Sequence, residues 1–250
     1  MPCTKTADLP PQSFPTKQAA REAAWEALAA SGAARYPFPP RNRIPNFQGA
    51  DRAAARLLDL PLFLGARRIK VNPDAPQRYV RIGALLRGIS VYMATPRLAG
   101  GFWLLDPAVI PDEELARAAS LTHVAEFAQQ VPVTALPPMD VVVCGAVAVT
   151  RAGRRAGKGR GYSDLEYGIL RELGHPAPPV VTTVHPVQIV ADFPVDAFDQ
   201  LLTCIVTPDE TIVPPAPGNP PAGIDWGRLS KADLRRMPVL ADLEAFLAER

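Results

Sequence analysis

The chain has 250 residues, 48% of them hydrophobic and 21% charged, with a formal net charge of +2. That length can bury a full core, while so small a net charge gives no argument for a nucleic-acid or membrane partner by itself. No run approaches the roughly 18 apolar residues of a membrane span, and Cys3, Cys144 and Cys204 make no CxxC pair and no disulfide framework, which points to a reducing compartment, the cytoplasm. His123, His175 and His185 are scattered, with no zinc-ligand spacing.

In chain order, Met1–Pro15 reads as a disordered lead-in without the apolar region of a secretion signal. Thr16 is placed to cap a helix over Lys17–Ala30, in which Ala20, Ala24, Trp25 and Leu28 recur at helical spacing and Gly32 follows the end. A second helix is expected near Asp51–Leu60, strands at Arg67–Val71 and Ile89–Met93, a helix over Tyr79–Arg87 between them, and another helix over Asp112–Ser120. Val141–Val149 (VVVCGAVAV) is the clearest strand, unbroken in apolar character as a strand covered on both faces would be. Leu165–Leu173 has helical periodicity; Val180–Ala191 and Leu201–Val206 read as strands; Pro214–Pro221 reads as a Pro-rich linker before a terminal helix over Ser230–Glu249, broken at Pro238. Alternating strands and helices predict an α/β fold around a mainly parallel sheet, with residues 16–250 as one domain.

The segment Arg151–Glu166 (RAGRRAGKGRGYSDLE) sits between the strongest strand and a helix. Its glycines allow positive φ and close approach, so successive N–H groups can form a concave anion nest. Arg151, Arg154, Arg155, Lys158 and Arg160 fall within ten residues. Ser163 and Glu166 have the S-x-x-E spacing of a capping box, and a helix start there adds N–H groups and partial positive charge. Phosphate binding is the expectation; a solvated basic loop is the alternative. The pattern is neither a Walker A nor a dinucleotide fingerprint. Asp164 suits either a Mg²⁺ ligand beside bound phosphates or a first-turn acid with no metal. Lys17 and Arg21 share a helix face. Trp25, Phe102 and Trp103 are either core or able to stack on a flat ring.

Together these residues resemble the 5-formyltetrahydrofolate cyclo-ligase family (5,10-methenyltetrahydrofolate synthetases), whose hallmark is similar to Gly153–Leu165 here. RIPNFQGA (43–50), KVNPDAP (70–76), TPRL (95–98) and KGRGYSDLEY (158–167) resemble the methenyltetrahydrofolate synthetase domain-containing subgroup. The resemblance implies a Rossmann-like α/β fold of the NagB/RpiA/CoA-transferase type, with ATP, Mg²⁺ and a reduced formyl-folate as reactants and cofactor. It implies phosphate contacts for Lys17, Arg21, Arg155, Gly157, Lys158, Gly159, Arg160, Gly161 and Tyr162, with Arg155 and Lys158 catalytic. It assigns substrate contacts to Arg97 and Gln188, and Mg²⁺ to Asp164. The chain departs from the hallmark at Ser163 and Leu165, has Pro76-Gln77 where the family carries a glutamate, and has Phe198 in place of a histidine. The nucleotide half of the pattern is thus better kept than the folate half. A membrane partner is not expected, and the lack of an aromatic-studded basic strand weighs against nucleic acid.

Overall fold

The computed structural model describes residues 12–215 and 218–249. Its centre is an eight-stranded sheet in the spatial order Thr211–Ile212, Cys204–Val206, Val180–Thr183, Val141–Val143, Arg68–Val71, Ser90–Ala94, Phe102–Leu105, Gln129–Val131. The strands from Cys204–Val206 through Ser90–Ala94 are parallel, and antiparallel strands close both edges. This is the mainly parallel α/β sheet that the alternation of elements predicts.

Strand periodicity distributes the core. Val142 packs with Tyr167, Ile169, Leu170, Leu240 and Leu243 on one face. Val141 and Val143 pack with Leu57, Leu58, Val80, Ala84 and Leu85 on the other. The sheet is therefore covered by the helices Tyr162–Glu172 and Pro238–Ala248 on one side and by Ala50–Leu58 and Arg78–Leu85 on the other. Each valine, leucine or isoleucine among them contributes about 1.5–3 kcal/mol when fully buried.

The first helix spans Lys17–Ala30, and the Thr16 hydroxyl accepts from the Ala19 N–H as its cap. It packs Ala20, Ala24 and Trp25 against a second, three-stranded sheet through Val147, Ala148, Ala156 and Val190. That sheet joins Ile189–Val190, Ala148–Thr150 and Arg155–Ala156, and it corrects two expectations. Val141–Val149 is not one strand: the chain leaves the central sheet after Val143 and enters the small sheet at Ala148. At the transfer, a Cβ on Gly145 would lie 2.9 Å from Ile44 and 3.1 Å from Asp74. Val180–Ala191 is likewise split, because Pro186 opens a 3₁₀ turn at Pro186–Gln188 before Ile189–Val190 joins the small sheet.

Smaller differences follow local chemistry. The Asp112–Ser120 helix is a 3₁₀ turn at Asp112–Glu114 followed by Leu115–Ala118. The terminal helix divides into Lys231–Arg236, capped by Ser230, and Pro238–Ala248, with Pro238 in the first turn where its missing N–H costs nothing. Of the expected lead-in, residues 1–11 lie outside the described residues, as do Cys3 and, in the Pro-rich segment, residues 216–217. Ser13, by contrast, forms a parallel bridge with Asp192, and the Phe14 N–H donates to the Asp192 carbonyl at 2.8 Å. No helix among the described residues is long and apolar enough to cross a membrane.

Candidate active site

The basic segment does not act as a single loop. Residues 151–154 form a hairpin turn that pairs Val149 with Arg155. There Arg151 binds Glu210 and Arg154 binds Asp192, so these two cations leave the anion site expected from their spacing. The strand Arg155–Ala156 then returns the chain to a cavity of about 680 Å³, within the size range of small-molecule sites. Lys17, Arg21, Arg97, Arg155, Lys158 and Arg160 all line it, against the carboxylates of Asp74, Asp164, Glu166 and Asp199. Gly157, Gly159, Gly161 and Tyr162 border the same space.

The helix after the loop begins at Tyr162, and its N-cap is Gly161 with φ +73° rather than the expected Ser163. The expected Ser163–Glu166 capping box is therefore absent. Gly161 takes the left-handed conformation that lets the loop enter the helix two residues ahead of the expected Ser163 cap, and Ser163 and Glu166 fall inside the first turns. No side chain caps this terminus. Its free N–H groups, with the dipole behind them, remain available to an anion. A glycine at the turn is also what φ +85° at Gly159 requires, with the Arg21 guanidinium 3.4 Å from where its Cβ would be.

Arg155 is the buried cation of the site, 4% exposed. It donates to the Gly145 carbonyl at 3.0 Å and to Asp164 at 2.6 Å, while its Nε has no hydrogen-bond partner. Burial pulls the pKa of this guanidinium down, but the charge of Asp164 and the other groups around it more than offsets the loss and raises it. Arg21 donates from Nε to the Gly157 carbonyl at 2.7 Å, and burial together with the Arg155 charge lowers its pKa. Lys17 ion-pairs with Asp196 at 2.9 Å and also with Asp199, which relieves the cost of a cation in a helix first turn. Lys158 reaches Asp74 at 3.0 Å. Arg97 and Arg160 have exposed side chains, and Arg97 sits at φ +59°, a left-handed conformation uncommon for a non-glycine residue.

Several expected residues are placed elsewhere. Gln188 does not line the cavity: its amide donates to the Ala146 and Val147 carbonyls and accepts from the His185 N–H, which fixes the strand transfer instead. Gln77 is buried and donates to Thr183. Trp25 and Phe102 are core, whereas half-buried Trp103 lines the cavity. Asn72, Asp74 and Glu166 also line it; the first two lie in the KVNPDAP segment, and Glu166 was expected only as a capping acid of the helix.

The donor set suits the phosphates of a nucleotide: guanidinium and ammonium groups, glycine amides and an open helix terminus. For a metal it offers less. Among the described residues no group of three or more His, Cys, Asp or Glu is placed to hold an ion. Asp164 therefore fits Mg²⁺ only as one carboxylate beside bound phosphates, the usual mode of that ion.

The profile of the 5-formyltetrahydrofolate cyclo-ligase family matches residues 15–208, and the chain belongs to that family. The methenyltetrahydrofolate synthase domain-containing protein of Mus musculus is 39% identical over 235 residues, which cover 91% of this chain and 63% of that protein. The protein of the same name from Homo sapiens is 33% identical over 237 residues, covering 92% and 62%. The chain thus spans less than two thirds of the length of these relatives. Among solved structures, the 5,10-methenyltetrahydrofolate synthetase of Aquifex aeolicus superposes with a TM-score of 0.50 at 16% identity, over 81% of this chain and 94% of that one. That likeness is one of fold.

Proposed function

We propose that the protein is an ATP-dependent cyclo-ligase that converts 5-formyltetrahydrofolate, or a close relative of it, to the 5,10-methenyl form in the cytoplasm. The observation that carries this reading is the buried Arg155, with an unpartnered Nε, beside an uncapped helix terminus and a glycine loop in a cavity rimmed by Lys17, Arg21 and Lys158. In the reaction the formyl oxygen takes the γ-phosphoryl group of ATP and ADP leaves. The N10 lone pair then attacks the activated carbon, N10 loses its proton, and phosphate departs as the ring closes. Such a transfer needs positioning and anion stabilisation more than a protein nucleophile. Arg155 and Lys158 supply charge where the transferred group becomes most anionic. Lys17, Arg21, Arg160 and the Gly157–Gly161 amides hold the remaining phosphates, with Tyr162 beside them, and Arg97 is available to an acidic part of the folate. Mg²⁺, held through Asp164 and the phosphates, would neutralise charge on the nucleotide.

Incubation with 5-formyltetrahydrofolate and Mg-ATP tests the reading through the near-ultraviolet absorption of the methenyl product. Turnover in the wild type and its loss in Asp164→Ala and Lys158→Ala is the expected result. A wild type that makes no product, yet gains thermal stability from ATP, would leave a nucleotide-binding module or an enzyme for another acyl group.

A further inference from the structure

A second polar cluster borders the same cavity, made of residues other than those proposed to hold phosphate. Lys70 forms an ion pair with Glu166 Oε2, and Asn72 Nδ2 donates to that same oxygen at 3.3 Å. Asn72 Oδ1 in turn receives the Ser163 hydroxyl at 3.2 Å and the Gly145 N–H at 3.3 Å. The Lys70 and Glu166 side chains are only 1% and 5% exposed. Both donors converge on Oε2. The other oxygen, Oε1, receives no hydrogen bond from any described residue, although Glu166 is a lining residue of the cavity. A carboxylate oxygen at the cavity wall that takes no hydrogen bond from the protein keeps its acceptor capacity for the N–H groups of a ligand. Ile44, Leu98 and Trp103 give the same cavity apolar walls for a flat ring.

We propose that Glu166, fixed by Lys70 and Asn72, is a specificity-determining acceptor for the N–H donor edge of a planar heterocycle. Under the cyclo-ligase reading, on which this rests for its natural ligand, that edge is the aminopyrimidine side of the reduced folate. A carboxylate held in advance discriminates strongly, because a ring that offers a carbonyl in place of an amino group meets oxygen with oxygen.

The test compares pterin with lumazine, which has a carbonyl where pterin has its 2-amino group, by fluorescence titration of the full chain. The wild type is expected to bind pterin at least about tenfold more tightly. In Glu166→Gln the amide oxygen stays on Lys70, its NH₂ takes the place of Oε1, and the preference turns toward lumazine. A structural role alone would not move that ratio. Equal binding of the two probes by the wild type, binding of neither, or an unchanged ratio in Glu166→Gln overturns the proposal. Where Glu166→Gln does not fold, the double variant Lys70→Met with Glu166→Gln leaves no lone charge in the core; its ratio is expected near one, and retention of the pterin preference overturns the proposal. Methenyl product from a wild type with no pterin preference sinks this inference alone. A pterin preference that Glu166→Gln reverses, with no methenyl product, sinks the cyclo-ligase reading alone.

Discussion

Lys70, in the middle of a core strand, and Glu166, in the helix that follows the glycine loop, are 96 positions apart and meet as a buried ion pair. The pair ties the central sheet to the helix whose N-terminus faces the cavity. Breaking such a pair from one side leaves an uncompensated charge, so Lys70→Ala is expected to lower stability by about 3–5 kcal/mol. Lys70→Met with Glu166→Gln removes both charges and is expected to recover most of it. Chemical denaturation of the two variants beside the wild type measures the difference.

Arg155 tests the proposed anion site itself. Arg155→Lys keeps a cation but loses the planar fork that serves Gly145 and Asp164 together. ATP is expected to raise the melting temperature of the wild type, and in this variant that rise is expected to shrink to a small fraction. An undiminished shift would mean that Arg155 only braces the fold.

Lys158 should separate function from stability. Its ion pair with Asp74 has a side chain 38% exposed, and such pairs contribute about 0–1 kcal/mol. Lys158→Ala is therefore expected to leave the denaturation midpoint nearly unchanged while turnover falls at least about tenfold.

Two glycines in the same segment should respond differently. Gly153 has φ +88°, and a Cβ there would lie 2.6 Å from the Leu202 carbonyl oxygen. Gly161, at φ +73°, has open space around it. Gly161→Ala is expected to cost about 1 kcal/mol of left-handed strain, and Gly153→Ala clearly more, because the backbone itself must shift. Paired thermal melts rank them; equal costs would contradict the close approach at Leu202.

Asp233 gives a pH signature remote from the cavity. Hydrogen bonds from the Ser230 side chain and backbone, with help from Arg236, hold its carboxyl down at about 2, below the ordinary 3.8. A depressed folded pKa stabilises above the unfolded value and is lost as pH falls through the folded one. Asp233→Asn is thus expected to lower the melting temperature at pH 7, with the gap to wild type closing as pH drops from about 4 toward 2. A gap that holds constant across that window would show that the carboxylate's charge is not what caps the helix.

What the sequence by itself determined was local. Thr16 and the spacing of Ala20, Ala24, Trp25 and Leu28 set the first helix, because a cap and a 3.6-residue repeat act within a few turns. The apolar runs set the parallel sheet, and the alternation of glycine with arginine and lysine marked the segment that borders the cavity. Tertiary structure decided the rest. It sent Arg151 and Arg154 outward to Glu210 and Asp192, broke Val141–Val149 between two sheets at Gly145, and turned Gln188 to the backbone of that crossing. It also placed Lys70, beside Val142 on one sheet face, under the helix that carries Glu166. These are contacts between residues far apart in the chain, and neither spacing nor composition encodes which carboxylate a buried lysine will find.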